Sequence, residues 1–208
     1  MISVLVANAK GGCGKTTIAT NLASAFANAG LETALADSDR QRSCLAWLKK
    51  RPETAAPIQT LDWRKTIDKP PRDVERLVID SGASLKSGRV RQILRQADVL
   101  VMPVLPSFFD EVATRRFLRS VDAIKPIKKG KKPVVVIGNR VRAGTHAERE
   151  LREFLAGLGH DVVTPLSARS IYQQVARQGL GVFDLPPSRR KGIIEDWLPL
   201  LRLIEAPA

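Results

Sequence analysis

The 208-residue chain has only two cysteines, Cys13 and Cys44, which supply neither a disulfide framework nor the spacing of a metal knuckle. A reducing, cytoplasmic setting is therefore expected. No apolar run approaches the ~20 residues of a bilayer-spanning helix, and the apolar N-terminal stretch runs straight into a glycine-rich loop, so neither a membrane span nor a signal peptide is expected. No repeat or low-complexity segment is present. The chain is also short of acids, with 21 Asp+Glu against 34 Lys+Arg and a formal net charge of +13. Such an excess points to a polyanionic partner surface, either nucleic acid or anionic lipid. The length suits a single domain over residues 1–208 with a sizeable core.

Against these absences stands one dense stretch, Lys10-Gly11-Gly12-Cys13-Gly14-Lys15-Thr16-Thr17. It follows Ile2–Ala7, an apolar run of strand character, and precedes a segment whose Ile18, Leu22, Ala25 and Phe26 share one helical face. Glycines between a strand and a helix let backbone N–H groups converge with no Cβ in the way, and the positive end of the helix dipole strengthens that anion nest. Gly11, Gly12, Cys13, Gly14, Lys15, Thr16 and Thr17 thus form a candidate phosphate cradle. Lys15 reaches the β- and γ-phosphates, and the Thr16 hydroxyl is placed to ligate Mg²⁺. The stretch predicts a nucleoside-triphosphate site. A thiol at Cys13, among these N–H groups and between Lys10 and Lys15, predicts a lowered pKa.

Two acidic elements complete the pattern. Arg76–Asp80 is a buried strand ending in a carboxylate, a Walker B element in which Asp80 holds Mg²⁺ through water. Leu31–Asp37 is a second strand, ending in Asp37-Ser38-Asp39, at the carboxyl edge where ligands bind in open α/β sheets. Asp39 equally suits the N-cap of the helix that follows. Further strands are expected at Ile58–Trp63 (an edge), Asp98–Val104, Pro133–Ile137 and Asp161–Thr164. Strands apolar throughout and alternating with helices predict an α/β single-domain P-loop NTPase, a mostly parallel twisted sheet with helices on both faces. A last helix is expected from about Arg189 to Ile204, carrying Ile193, Ile194, Trp197, Leu198 and Leu201.

The ordinary phosphate-loop pattern has glycine where this chain has Ala9, and this chain adds Lys10. K-G-G-x-G-K-T resembles the deviant Walker A motif of the ParA/MinD superfamily, and the resemblance covers essentially the whole chain, closest in form to short ParA-type ATPases. It implies that Lys10 crosses to the partner subunit's nucleotide, and hence a homodimer formed with ATP. The stretch Asp37–Ser43 is similar to the family's D-x-D-P-Q-x-S element, with Arg40 in place of proline. By that match Asp39 orients the attacking water, and Asp37 supports the Mg²⁺ shell or a switch. Ser81-Gly82-Ala83-Ser84 replaces the family's proline-bearing turn, implying a looser switch segment. Asn139 matches the asparagine that reads the adenine edge, and Pro165 lies in the loop that flanks the base. Arg142, three past Asn139, stands where a GTPase would carry the aspartate that selects guanine, so ATP is favoured. Lys10, Lys15 and Asp39 are the implied catalytic residues, Thr16, Asp37 and Asp80 the metal group, and ATP and Mg²⁺ the cofactors.

The basic excess is concentrated. Residues 112–145 hold ten Lys/Arg and, as acid, only Asp122. Arg115, Arg116 and Arg119 cluster at helical spacing, Lys128 and Lys129 sit in a Pro/Gly-containing loop, and Arg189, Arg190 and Lys191 lie near the C-terminus. These are the candidate contacts to nonspecific DNA, although surface lysines also serve solubility. The phosphate loop begins within ten residues of Met1, leaving no helix-turn-helix before it, so operator-specific binding is not expected. The family reading is a ParA-type ATPase, cytoplasmic and nucleoid-associated, that positions a cargo with the help of a ParB-like or other activating adaptor. The alternative is a MinD-like membrane-associated ATPase, which needs an amphipathic C-terminal helix; the tail after Leu200 carries only Arg202 and Glu205 as charges, and docking on the domain is the better expectation. An iron–sulfur carrier resembling the nitrogenase iron protein needs interface cysteines that Cys13 and Cys44 do not supply, and a small-molecule ligase is disfavoured by the basic surface.

Overall fold

The computed structural model describes residues 1–82 and 87–206. Ala83 and Ser84 of the expected switch segment lie outside the described residues. Seven strands within them form one all-parallel sheet of order β3-β2-β4-β1-β5-β6-β7. These are β1 (Ile2–Val6), β2 (Thr33–Asp37), β3 (Gln59–Asp62), β4 (Arg76–Asp80), β5 (Val99–Val104), β6 (Val134–Gly138) and β7 (Asp161–Val163). The interior strands are buried on both faces, which is why they read as unbroken Val/Ile/Leu/Ala runs. β3 alternates half-buried and exposed residues, as an edge strand does.

Residue parity divides the core in two. Val4, Val6, Leu35, Val78, Val101 and Val135 point to one face, covered by α1 (Lys15–Asn28), α2 (Ser43–Leu48), α7 (Ile171–Ala176) and α9 (Leu198–Glu205). Leu5, Ala34, Leu77, Ile79, Leu100 and Val136 point to the other, covered by α3 (Ser87–Gln96), α4 (Phe108–Asp122) and α6 (His146–Ala156). Parallel register brings strand ends together: Asp80 pairs with Val6 on one side and with Asp37 on the other. The phosphate loop and both acidic elements therefore share one sheet edge.

Two expectations are corrected. Lys125–Lys128 is a short helical turn, α5, begun by Pro126 in its first turn, where the missing N–H costs nothing. The single closing helix is instead three pieces: α8 (Pro187–Arg190), a 3₁₀ turn at Ile194–Asp196, and α9. Lys191 turns to extended backbone (ψ 138°) and Gly192 to φ +72°, ending α8, and a proline in the first turn begins α9. α9 docks on the domain through buried Leu200 and Ile204, and Arg76 pairs with its Glu205 at 2.6 Å.

Candidate nucleotide site

α1 starts at Lys15, directly after Gly14, whose φ is +97°. That left-handed conformation aims the first N–H groups of the helix into the loop, where no helical carbonyl can satisfy them. Gly12 is also left-handed, at φ +78°. A side chain at Gly14 is excluded by space as well, because its Cβ would meet Asn139 Nδ2 at 2.1 Å. That amide donates to the Cys13 carbonyl at 2.8 Å, and its Oδ1 accepts from the Arg140 N–H at 3.0 Å. Asn139, at the end of β6, thus braces the phosphate loop from across the sheet. Only the folded chain shows this brace; the family match pointed instead to the base. A carboxamide has a second N–H and further lone pairs, so bracing leaves it capacity for a ligand.

Lys15 is buried, and its Nζ donates to the Lys10 carbonyl at 2.8 Å. Beside it, burial pushes the Cys13 thiol above its usual pKa, and the Lys15 ammonium recovers only part of that shift. The expectation of a lowered Cys13 pKa is therefore corrected: the side chain is fully enclosed, and desolvation of the thiolate outweighs the nearby cation.

Thr16 donates its hydroxyl to Asp80 Oδ2 at 2.7 Å, and the Cys44 thiol reaches the same oxygen at 3.2 Å. Asp80 Oδ1 is buried with no hydrogen-bond partner among the described residues. Burial raises the Asp80 pKa to about 7, against the pull of Thr16, Cys44 and Lys15. Asp37 is also fully buried, and burial raises its pKa as well. Its Oδ1 accepts from the Asp39 N–H at 2.9 Å and its Oδ2 from the Leu45 N–H at 3.1 Å, tying the loop and the first turn of α2 to the end of β2. Asp39 is half-buried, and Gly82 allows its approach, since a Cβ there would lie 2.9 Å from Asp39 Oδ1. Asp39 does not cap α2 by hydrogen bonding: its carboxylate accepts from Gln41, and Arg42, at φ +59°, occupies the cap position.

Mg²⁺ and a triphosphate suit this donor set. An orphaned carboxylate oxygen and a hydroxyl are hard oxygen ligands, which suit Mg²⁺ as it keeps waters and phosphate oxygens for the rest of its shell. Among the described residues no three His, Cys, Asp or Glu side chains form a ready-made metal cage.

Next to Thr17 and Asn139 a cavity of about 350 Å³ opens, lined by Arg140, Ala168, Arg169, Ser170 and Tyr172 among others. Its position beyond the cradle fits a ribose and base. Pro165 lies elsewhere: it packs against Gly138 and lines a separate groove with Leu151 and Val163. The cavity beside Thr17 is lined instead by Ala168, Arg169 and Ser170, a few positions further along the chain.

Asp110, which the Pro106–Asp110 turn (similar in form to the P-S-P-x-D turn of short ParA proteins) marks as opening α4, gains a place at the site only in the folded chain. It is buried, its Oδ1 has no partner among the described residues, and burial raises its pKa while the Lys10 ammonium opposes the shift. The turn gives the helix start locally, but the approach of this acid to the loop from another element comes only with the tertiary fold.

The candidate DNA residues divide. Arg115, Arg116, Arg119, Lys128, Lys129, Arg189 and Lys191 are exposed. Arg190 is partly buried and donates to the Phe183 carbonyl at 2.9 Å, so it also holds the fold together. Lys132, in the same basic loop, is taken up by carbonyls at the end of α3, among them Leu94 at 2.8 Å.

The CobQ/CobB/MinD/ParA nucleotide-binding domain model matches residues 4–180. The maintenance of carboxysome distribution protein A of Halothiobacillus neapolitanus is 27% identical over 192 residues, covering 88% of this chain and 87% of that protein. Among solved structures, the MinD cell division protein of Aquifex aeolicus superposes with a TM-score of 0.75 at 18% identity, covering 100% of this chain and 98% of that one. An ATP complex of a Cyanothece McdA variant superposes with a TM-score of 0.68 at 16% identity, covering 96% of each chain. No helix of the described residues is long and apolar enough to cross a membrane.

Proposed function

The chain belongs to the CobQ/CobB/MinD/ParA nucleotide-binding domain family, and we propose that within it this protein is an ATPase that dimerises on ATP, binds DNA without sequence preference and positions a cargo. It is a nucleotide-binding ATPase of the ParA/MinD type, using ATP and Mg²⁺. The carboxysome-distribution relative makes a large protein assembly the favoured class of cargo. The observation that carries the reading is the doubled lysine of the phosphate loop. Lys15 is turned inward to the loop carbonyl, while Lys10, half-buried at the loop's entrance, makes no ion pair among the described residues.

In this reading the glycine loop and the first N–H groups of α1 cradle the phosphates, and Lys15 is the cation supplied by the same subunit. Thr16 and Asp80 would hold a bound Mg²⁺, whose chemistry there would be to offset the negative charge of the phosphates, and Asp37 fixes the loop behind them. Asp39, free of helix-capping duty, orients the attacking water, and Lys10 stabilises the transferring phosphoryl group of the other subunit. Catalysis is then mostly positioning and electrostatic stabilisation, and an activating adaptor would act by ordering the loops that carry Asp39 and Gly82. A dimer doubles the exposed arginines and lysines, so DNA affinity rises with ATP and the protein associates with the nucleoid. Binding should then fall by roughly 10³–10⁵ between 50 and 200 mM salt if 6–10 phosphates are contacted.

The test measures anisotropy of random-sequence duplex with ATP and with ADP, beside light scattering on the same preparation. Lys15→Ala should lose nucleotide binding. Lys10→Ala should bind ATP yet stay monomeric. Equal DNA affinity with ATP and ADP overturns the switch, and absence of DNA binding at low salt overturns the DNA reading.

A further inference from the structure

Two phenylalanines stand out on the surface. Phe108 and Phe109 are 71% and 73% exposed, and their rings meet edge to face with centroids 5.7 Å apart. They open α4 immediately before Asp110, the buried acid that faces Lys10 and Cys13. The same helix is moored to the base of the phosphate loop: Asn8 Nδ2 donates to Thr114 Oγ1 at 2.9 Å and to the Pro103 carbonyl at 2.8 Å. The aromatic pair therefore sits on a helix fixed beside the nucleotide loop, directly before the acid that Lys10 approaches.

We propose that Phe108 and Phe109 are the apolar anchor of the ATP-bound dimer, buried against a second copy of this chain and seating Lys10 across the interface. The proposal rests on the ATP-dimer reading above and names the residues that hold it together. Three features favour a second copy as occupant. The pair is continuous with the Lys10 loop, which that reading already places at the interface. Charge is complementary as well: partly exposed Glu111 lies beside the rings and partly exposed Lys10 on the adjoining loop, so two copies related by a two-fold axis offer acid to base twice. The area is also suitable. At this exposure the two side chains offer roughly 250–300 Å² per protomer, about a third of the ~800 Å² that a stable interface takes from each partner. Adjacent aromatic anchors ringed by polar groups have the composition of an interface hot spot.

The rest of α4 gives the anchor a consequence. Arg115, Arg116 and Arg119 follow as exposed residues of the same helix, and Arg115 stacks over Phe154 of α6 at 5.1 Å, so the arginine row moves with the aromatic pair. Docking two Phe108–Phe109 ends fixes the relative placement of two arginine rows, linking dimerisation to the extent of the basic surface.

The experiment is sedimentation velocity of the full chain with Mg²⁺ and a nonhydrolysable ATP analogue, with analogue affinity measured by calorimetry at monomeric concentration. Phe108→Ser/Phe109→Ser should weaken the dimer at least about 100-fold, leaving monomer affinity for the analogue within about threefold. Phe108→Leu/Phe109→Leu, which keeps the apolar surface, should restore dimerisation to within about tenfold of wild type. Both pairs are exposed, so folding should be unaffected, and circular dichroism checks it. A wild-type dimer matched by an equally tight serine variant overturns this inference and leaves the dimer reading standing. A wild type that stays monomeric with the analogue overturns both. A serine variant that dimerises normally but loses binding to anionic vesicles or to an adaptor assigns the aromatic pair to that partner and overturns the proposal.

Discussion

Replacing Asn139 with alanine probes how the phosphate loop is held. The substitution removes two hydrogen bonds, Asn139 Nδ2 to the Cys13 carbonyl at 2.8 Å and the Arg140 N–H to Asn139 Oδ1 at 3.0 Å. Arg140 is exposed, so its N–H recovers water. Cys13 is enclosed, so its carbonyl is left unpaired at about 1–3 kcal/mol. If that energy holds the loop in its anion-binding form, its loss appears in ligand affinity, at about 1.4 kcal/mol per tenfold. ATP affinity should therefore fall roughly 5–140-fold. The discriminating ligand is inorganic tripolyphosphate, which carries the phosphates and no base. Calorimetry with Mg²⁺ should show tripolyphosphate weakened by the same factor as ATP, within about threefold. Should tripolyphosphate bind the variant as it binds wild type while ATP loses affinity, Asn139 would act on the base alone and the brace would be refuted.

Asp39→Ala should bind ATP and dimerise but hydrolyse at least about 100-fold more slowly, since a positioned proton acceptor contributes on that order; wild-type turnover would remove Asp39 from the chemistry. Asp184 gives a pH dependence. Burial pushes its carboxyl up, but Arg51, at 2.7 Å, with the Gly181 N–H and the Asn28 amide, holds it below its ordinary value of 3.8. A depressed folded pKa means that this contribution is complete above about pH 4 and is lost as pH falls through the folded value. Arg51→Met leaves the buried carboxylate without its cation and should cost about 3–5 kcal/mol at pH 7, and clearly less at pH 3, in urea titrations; equal losses at both pH values contradict the pairing. Charge reversal at Arg189 and Lys191 should weaken DNA binding without loss of stability, whereas Arg190→Glu should also lower the melting temperature because the Phe183 carbonyl loses its donor. An Arg190→Glu protein as stable as wild type would return that residue to the solvated surface.

Much of the molecule was legible from the chain alone wherever the relevant residues are contiguous. The interior strands bury both faces, so Arg76–Asp80, Val99–Val104 and Val134–Gly138 announce themselves as apolar runs. The phosphate cradle lies within eight consecutive residues whose glycines and helix start are fixed by local backbone geometry. Local rules failed where competing punctuation broke a pattern: the sequence from about Arg189 to Ile204 suggested one helix, but Gly192 and Pro199 divide it. What only the tertiary structure decided is convergence and burial. Asn139 meets Cys13 across 126 positions, Thr16 meets Asp80 across 64, and Cys44 meets Asp80 across 36, each brought together by parallel register at one sheet edge. Burial likewise reversed the expected sign of the Cys13 shift, because desolvation depends on atoms packed around the thiol from the whole fold, whereas sequence shows only its neighbours along the chain.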